Sequence, residues 1–213
     1  MMKNNSLKTN TIITTIVCLI PVILGILLYS RLPDVVATHW GADGQPNGWS
    51  PKFVGVIVFP GSLALINILF PFLLKMDPKR KNMDSKLVLI CQWIIPLVSL
   101  FASGITLAAG LGKDVNVELF AMLLLGIVFV AIGNYLPKTK QSYTMGIKLP
   151  WTLNSEENWN KTHRMAGFLW VIGGILLIIA GILGITFYVP IAAMLLMTIV
   201  PIVYSYVLYT KGI

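Results

Sequence analysis

The sequence predicts an all-α polytopic integral membrane protein, a bundle of six transmembrane helices with both termini cytoplasmic. Of its 213 residues, 56% are hydrophobic and only 11% charged, against about 45–50% apolar and about 25% charged in a soluble domain; the mean hydropathy is +0.82. Six apolar windows each reach the roughly 20 residues that a helix needs to cross a bilayer. Lys and Arg alternate along the chain between rich and poor segments, as expected of loops lying on opposite sides of a membrane.

Taken in order, residues 1–10 form a cytoplasmic tail carrying Lys3 and Lys8. The window 11–30 has about twice the apolar length of a signal peptide and no A-x-A-type cleavage site after it, so it reads as a retained helix. An outer loop, 31–52, leads to the second window, 53–74. The inner loop 75–86 holds five basic residues, and 87–110 is the third window. Residues 11–110 therefore form an N-terminal three-helix half. A short outer piece, 111–116, precedes the fourth window, 117–136, which has Glu118 at its edge. The inner loop 137–165 again holds five basic residues. The windows 166–187 and 189–209 complete a C-terminal half, 111–213, and form a tight hairpin that turns around 188–190. Pro190 suits the first position of the last helix, where proline's missing N–H is not needed.

The inner segments carry 13 Lys and Arg and the outer ones 3. A net charge of +8 is thus accounted for by helix orientation at the bilayer, and direct nucleic-acid binding is not expected. Cys18 and Cys91 lie in apolar runs and read as free structural thiols. Pro21, Pro60, Pro71, Pro96 and Pro201 lie within the runs and predict kinks. Gly167, Gly174 and Gly181, with Ala180 and Gly184, make a stripe of small residues suited to close packing within the chain, with a dimer interface as the alternative.

Ionisable groups inside a bilayer mark function, and the span interiors contain no Asp, Lys, Arg or His. That excludes a proton-coupled pump, a voltage sensor and a membrane aspartyl protease. H-E-x-x-H and the G-x-x-x-x-G-K-[ST] phosphate loop are both missing from the sequence, which excludes a metallopeptidase of that type and ATP-driven transport by this chain. No catalytic residue, metal site or cofactor is expected. The intramembrane polar residues Asn67, Gln92 and Asn134 are read as interhelical hydrogen-bonding groups, with a polar substrate cavity as the alternative.

Two loops are more specific. Residues 32–52 read LPDVVATHWGADGQPNGWSPK, too rich in turn formers for a helix and so an ordered outer loop. Its Trp40 and Trp49 suit either the interfacial belt or an anchoring surface. Residues 134–164 read NYLPKTKQSYTMGIKLPWTLNSEENWNKTHR. Gly146, Pro150 and Trp151 punctuate a non-helical stretch. Asn154 and Glu157 stand at capping-box spacing, and Trp159 and His163 fall on one face of the helix that this cap starts, which runs into the fifth span.

The outer segment resembles the N-terminal signature of a bacterial membrane family of unassigned function, close to L-P-x-x-V/I-x-x-H-W/F followed by a glycine and a lysine. The inner segment, with P-W-T-L, a spaced tryptophan and T-H-R, resembles the C-terminal signature of the SdpI family of bacterial immunity proteins. The resemblance implies a multi-pass protein of the bacterial cytoplasmic membrane, not an enzyme, that protects against a secreted peptide toxin of the cannibalism type and captures a cytoplasmic repressor to signal. It makes Pro33, His39, Trp40, Gly44, Gly48, Trp49 and Lys52 candidates for toxin recognition. Lys138, Lys148, Pro150, Trp151, Trp159, His163 and Arg164 become candidates for contact with a cytoplasmic partner. Arginine is usual in the family where Lys148 stands, and lysine is less suited to bidentate pairing. The alternative is a small transporter or channel for a neutral or amphipathic solute, lined by Asn67, Gln92 and Asn134.

Overall fold

A computed structural model describes residues 4–41, 43–185 and 188–213. Its long helices are α1 (Asn4–Leu27), α2 (Phe59–Met76), α3 (Ser85–Gly110), α4 (Val117–Tyr135), α6 (Glu156–Ile182) and α7 (Tyr188–Thr210), with a short α5 (Pro150–Asn154). Six stretches of 22 to 27 residues among them are long and apolar enough to cross a bilayer. Two strands, β1 (Val35–Trp40) and β2 (Pro46–Pro51), pair antiparallel. The chain divides into two compact units, each taking residues from both sequence halves.

The hairpin unit comprises Lys3–Pro71 and Gln92–Leu124. Here α1 is the hub for polar groups of α2 and α3. Asn67 donates to the Thr14 and Thr15 hydroxyls at 2.9 and 2.8 Å. Gln92 donates to Thr11 Oγ1 at 2.8 Å and accepts from Asn10 at 2.6 Å, while Trp93 Nε1 donates to Asn10 Oδ1. Ser99 donates to the Cys18 carbonyl at 3.0 Å. Cys18 and Cys91 are both unpaired. In hydrocarbon a polar side chain has no water to turn to, so amides and hydroxyls on facing helices satisfy one another.

The segment 32–52, expected as an ordered loop, is a β-hairpin. Val35, Val36 and Thr38 are β-branched and favour strand backbone. Gly44, at φ +70°, lets the chain reverse, closed by Gly41 N–H donating to Gln45 O at 2.8 Å. A two-stranded hairpin is marginal on its own. This one is anchored by Val36, 1% exposed, which packs with Leu32, Val56 and Leu107 in a small apolar core. Gly55 makes room for it, since a Cβ there would lie 2.6 Å from Val36 Cγ2. Gly55 belongs to a π-helical segment, Val54–Val58, that opens the second span.

The elbow unit comprises Phe72–Cys91 and Leu125–Ile213. The glycine stripe of α6 packs within the chain: Gly174 faces Gly126 and Gly167 faces Gly133, and a Cβ on Gly126 or Gly133 would stand 2.6 or 2.9 Å from the opposing carbonyl oxygen. Removing side chains from both surfaces brings the backbones of α4 and α6 together. On α7, Met197 fills the space beside Gly173 and its carbonyl accepts from Trp170 Nε1 at 2.8 Å.

Three local expectations shift. The N-cap of α6 is Ser155, whose hydroxyl accepts from Asn158 N–H at 3.1 Å, so Asn154 is not the cap. Asn154 instead ends α5, a helical turn that Pro150 opens with its fixed φ. The last helix starts at Tyr188, two residues before Pro190.

Candidate functional site

The elbow is the connection 139–155 between α4 and α6, and polar side chains pin it at both ends. Asp77, 4% exposed at the end of α2, accepts from Ser142 Oγ at 2.7 Å, Thr144 N–H at 2.8 Å and Lys79 N–H at 2.7 Å. Burial by itself pushes this carboxyl up, but the hydrogen bonds from Ser142, Lys79 and Thr144 outweigh it and hold its pKa below the ordinary 3.8. Gln141 accepts from Lys79 Nζ at 2.8 Å and donates to Thr152 O at 2.9 Å, tying the basic loop to α5 through a single side chain.

The centre of the elbow is an aromatic stack. Trp159 and His163, one turn apart on α6, lie with ring centroids 3.9 Å apart and both are wholly buried. Trp159 Nε1 donates to Thr139 O at 2.7 Å. His163 Nε2 accepts from Ile147 N–H at 2.8 Å, so Nδ1 carries the proton and donates to Trp159 O at 2.8 Å. Gly146 crosses this stack at φ +112°. A Cβ there would lie 2.6 Å from His163 Nε2 and 2.7 Å from the Trp159 ring, so glycine is required both by conformation and by space.

Of the sequence-derived partner candidates, Trp159 and His163 thus frame the elbow from inside it. Lys138, Lys148, Pro150 and Arg164 are exposed. Trp151 is half-buried, edge-on to Tyr206 at 5.5 Å and stacked on Tyr209 at 5.8 Å. It walls an open cavity of about 450 Å³ with Pro150, Asn154 and Tyr209. Its Nε1 is buried and has no hydrogen-bond partner among the described residues. Asp77, Gln141 and Asn158 escaped the sequence reading. Asn158, buried on α6, donates to Ser205 O and accepts from Ser205 Oγ at 2.8 Å, fastening α6 to α7. The sequence signal for Asp77 was slight: an acid before proline, two residues ahead of the backbone N–H that it accepts.

The hairpin presents a surface instead. Trp49 is 60% exposed, and His39 is exposed with its Nδ1 against Asn47 Oδ1. Gly48 sits opposite His39, where a Cβ would come within 2.9 Å of His39 Cβ. Pro33 is exposed beside Gly110. Lys52 pairs with Asp34 at 3.1 Å and lies 4.8 Å from the centroid of the Tyr29 ring. Trp40 and Gly44 wall a cavity of about 490 Å³ together with residues 113–118. Among the intramembrane candidates, Asn67 and Gln92 are buried in the α1 network described above, and Asn134 is exposed on α4. Among the described residues, no three His, Cys, Asp or Glu gather to hold a metal.

Fold and loops define a multi-pass protein of the cytoplasmic membrane, six spans with an ordered hairpin and an ordered elbow. Residues 138–205 match the model of the SdpI/YfhL protein family and residues 16–64 match a domain of unknown function, DUF1648. The chain is 28% identical over 176 residues, 80% of its own length and 80% of the relative's, to the protein named Immunity protein SdpI of Bacillus subtilis (strain 168). The family match thus covers the elbow and most of the last two spans. No solved structure matches it.

Proposed function

We propose that this is a membrane immunity protein that protects a bacterium against a secreted peptide toxin, meeting the toxin at the hairpin. The observation that carries the reading is the similarity to Immunity protein SdpI, which runs through 80% of both chains, with the two matched family models covering the hairpin and the elbow. The exposed Trp49 and His39 support it, because a toxin arriving from outside needs accessible anchors on the outer face. The 13-to-3 division of Lys and Arg supports placing the hairpin outside, with both termini and the elbow in the cytoplasm. The exposed Lys138, Lys148, Pro150 and Arg164, with the half-buried Trp151, then form the surface on which a cytoplasmic repressor is captured. The transport alternative is less favoured: Gln92 and the Asn67 amide N–H groups spend their hydrogen bonds on α1, leaving the buried Asn67 Oδ1 without a partner among the described residues, and Asn134 is exposed.

The test is expression in a toxin-sensitive bacterium challenged with the cannibalism peptide toxin. Survival above the empty-vector control is expected, and killing at the control dose despite normal membrane abundance would overturn the reading. In a cysteine-free background, Asp43→Cys is expected to react with an impermeant thiol reagent in intact cells and Lys79→Cys to stay unlabelled. Lys148→Glu is expected to release the repressor from the membrane while leaving survival unchanged.

A further inference from the structure

Two cavities of the hairpin unit share a wall. One, of about 510 Å³, opens between α3 and α4 and is lined largely by apolar groups, among them Leu100, Phe101, Ile105 and Phe120. The other, of about 490 Å³, lies beneath the hairpin turn beside Trp40, Asp43, Gly44 and Glu118. Residues 113–116, which join α3 to α4, line both. Each falls within the roughly 300–1,000 Å³ typical of ligand sites, and side by side they make one trough, apolar at one end and polar at the other.

Gly104 lies in the apolar end, well inside α3. Glycine weakens a helix interior and is retained where something must come close. Gly126, Gly133, Gly167, Gly173 and Gly174 all have such a neighbour, within 3 Å of where a Cβ would stand, but a Cβ on Gly104 would meet nothing within 4 Å. Gly61, which also has open space, lines neither cavity. Close packing within the chain therefore does not account for Gly104, whereas an occupant of the trough does. The polar end carries Asp43, Asp114 and Glu118 against the single base Lys113, three acids to one base, a formal balance of −2.

We propose that this trough binds a peptide through an apolar segment seated against Gly104 and an adjoining cationic group held by Asp43, Asp114 and Glu118. The proposal rests on the immunity reading and extends its toxin contact from the hairpin surface to α3 and α4. Anionic phospholipid, the competing occupant, brings a net negative charge that the acidic end repels.

The full chain in phosphatidylcholine nanodiscs is titrated with a fluorescent synthetic peptide that has a leucine-rich face and N-terminal lysines. The parent is expected to bind it, with Gly104→Leu, which fills the trough, weakening binding about tenfold or more, equivalent to about 1.4 kcal/mol. Gly104→Ala leaves the trough open and is expected to bind as the parent does. Asp114→Lys with Glu118→Lys is expected to weaken binding and flatten its salt dependence. Equal binding by Gly104→Leu, loss of binding in Gly104→Ala, or equal affinity for a peptide with N-terminal glutamates would each overturn the proposal. So would a phospholipid that co-purifies with the parent, is missing from Gly104→Leu, and blocks the peptide. If the parent fails to protect cells, the immunity reading fails while the nanodisc titration still decides the trough.

Discussion

Trp49 of the hairpin is 60% exposed, whereas Trp159 of the elbow is wholly buried and donates its indole N–H to a backbone carbonyl. The two histidines divide the same way. His39 pairs with Asn47 on an exposed strand, while His163 uses both ring nitrogens on backbone groups inside the elbow. Both segments are rich in tryptophan, glycine and proline, and from composition they look alike. What separates them is where the polar atoms find partners. The elbow spends its aromatic and polar groups on holding one backbone path, so the surface it offers comes from residues at its margin such as Lys148, Pro150 and Trp151. The hairpin is held by a few apolar contacts of Val36 and Leu32, and its side chains pair with one another at the surface, which leaves Trp49 exposed to meet something else. A buried tryptophan is thus a structural element here, and an exposed one a candidate contact.

This contrast can be broken first at Trp159. Replacing it with alanine removes a fully buried indole, its stacking partner and its hydrogen bond, and is expected to destabilise the protein by about 4 kcal/mol, read by thermal unfolding in detergent; a loss below about 1 kcal/mol would mean that the elbow does not depend on its stack. Gly146→Ala places a methyl against both rings at a φ that alanine rarely adopts, with an expected loss of about 2 kcal/mol in the same measurement.

Asp77→Asn weakens three charge-assisted hydrogen bonds and is expected to cost about 2 kcal/mol at neutral pH. The lowered pKa of Asp77 adds a pH signature. Because its folded value lies below the ordinary 3.8, its contribution is complete above that value and is lost as pH falls from there through the folded value. The parent is therefore expected to lose stability over that acidic window relative to Asp77→Asn, and parallel pH profiles would exclude the network. The smallest effect on stability falls on the hairpin, where Trp49→Ala is expected to shift unfolding by less than about 0.5 kcal/mol. The same change is expected to lower the toxin dose that cells survive by about tenfold at unchanged membrane abundance. A large stability loss with intact protection would reverse the roles assigned to the two regions.

The six spans were legible in the sequence because membrane insertion depends on a local sum. About twenty consecutive apolar residues suffice whatever lies beside them, and an observed helix overlaps every window, although α1 starts seven residues early, at Asn4, and α6 ten residues early, where the capped turn joins the span. The shared face of Trp159 and His163 was legible for a similar reason, since four residues make about one helical turn. The hairpin was not, although its β-branched residues stood in view: glycine and proline masked them, and Val36 commits to a strand only because Leu107 and Val56 wait beneath it.

Long-range pairings were equally out of reach. Asp77 meets Ser142 across 65 positions of sequence and Asn158 meets Ser205 across 47, and no periodicity encodes such distances. Gly126 and Gly133 gave no sign that they faced the stripe of α6. Local composition by itself determined that this chain lives in a membrane and how many times it crosses. Only the tertiary structure decided which polar and aromatic residues are buried as framework and which remain as surface, because a side chain's burial depends on neighbours that the chain brings together from far away.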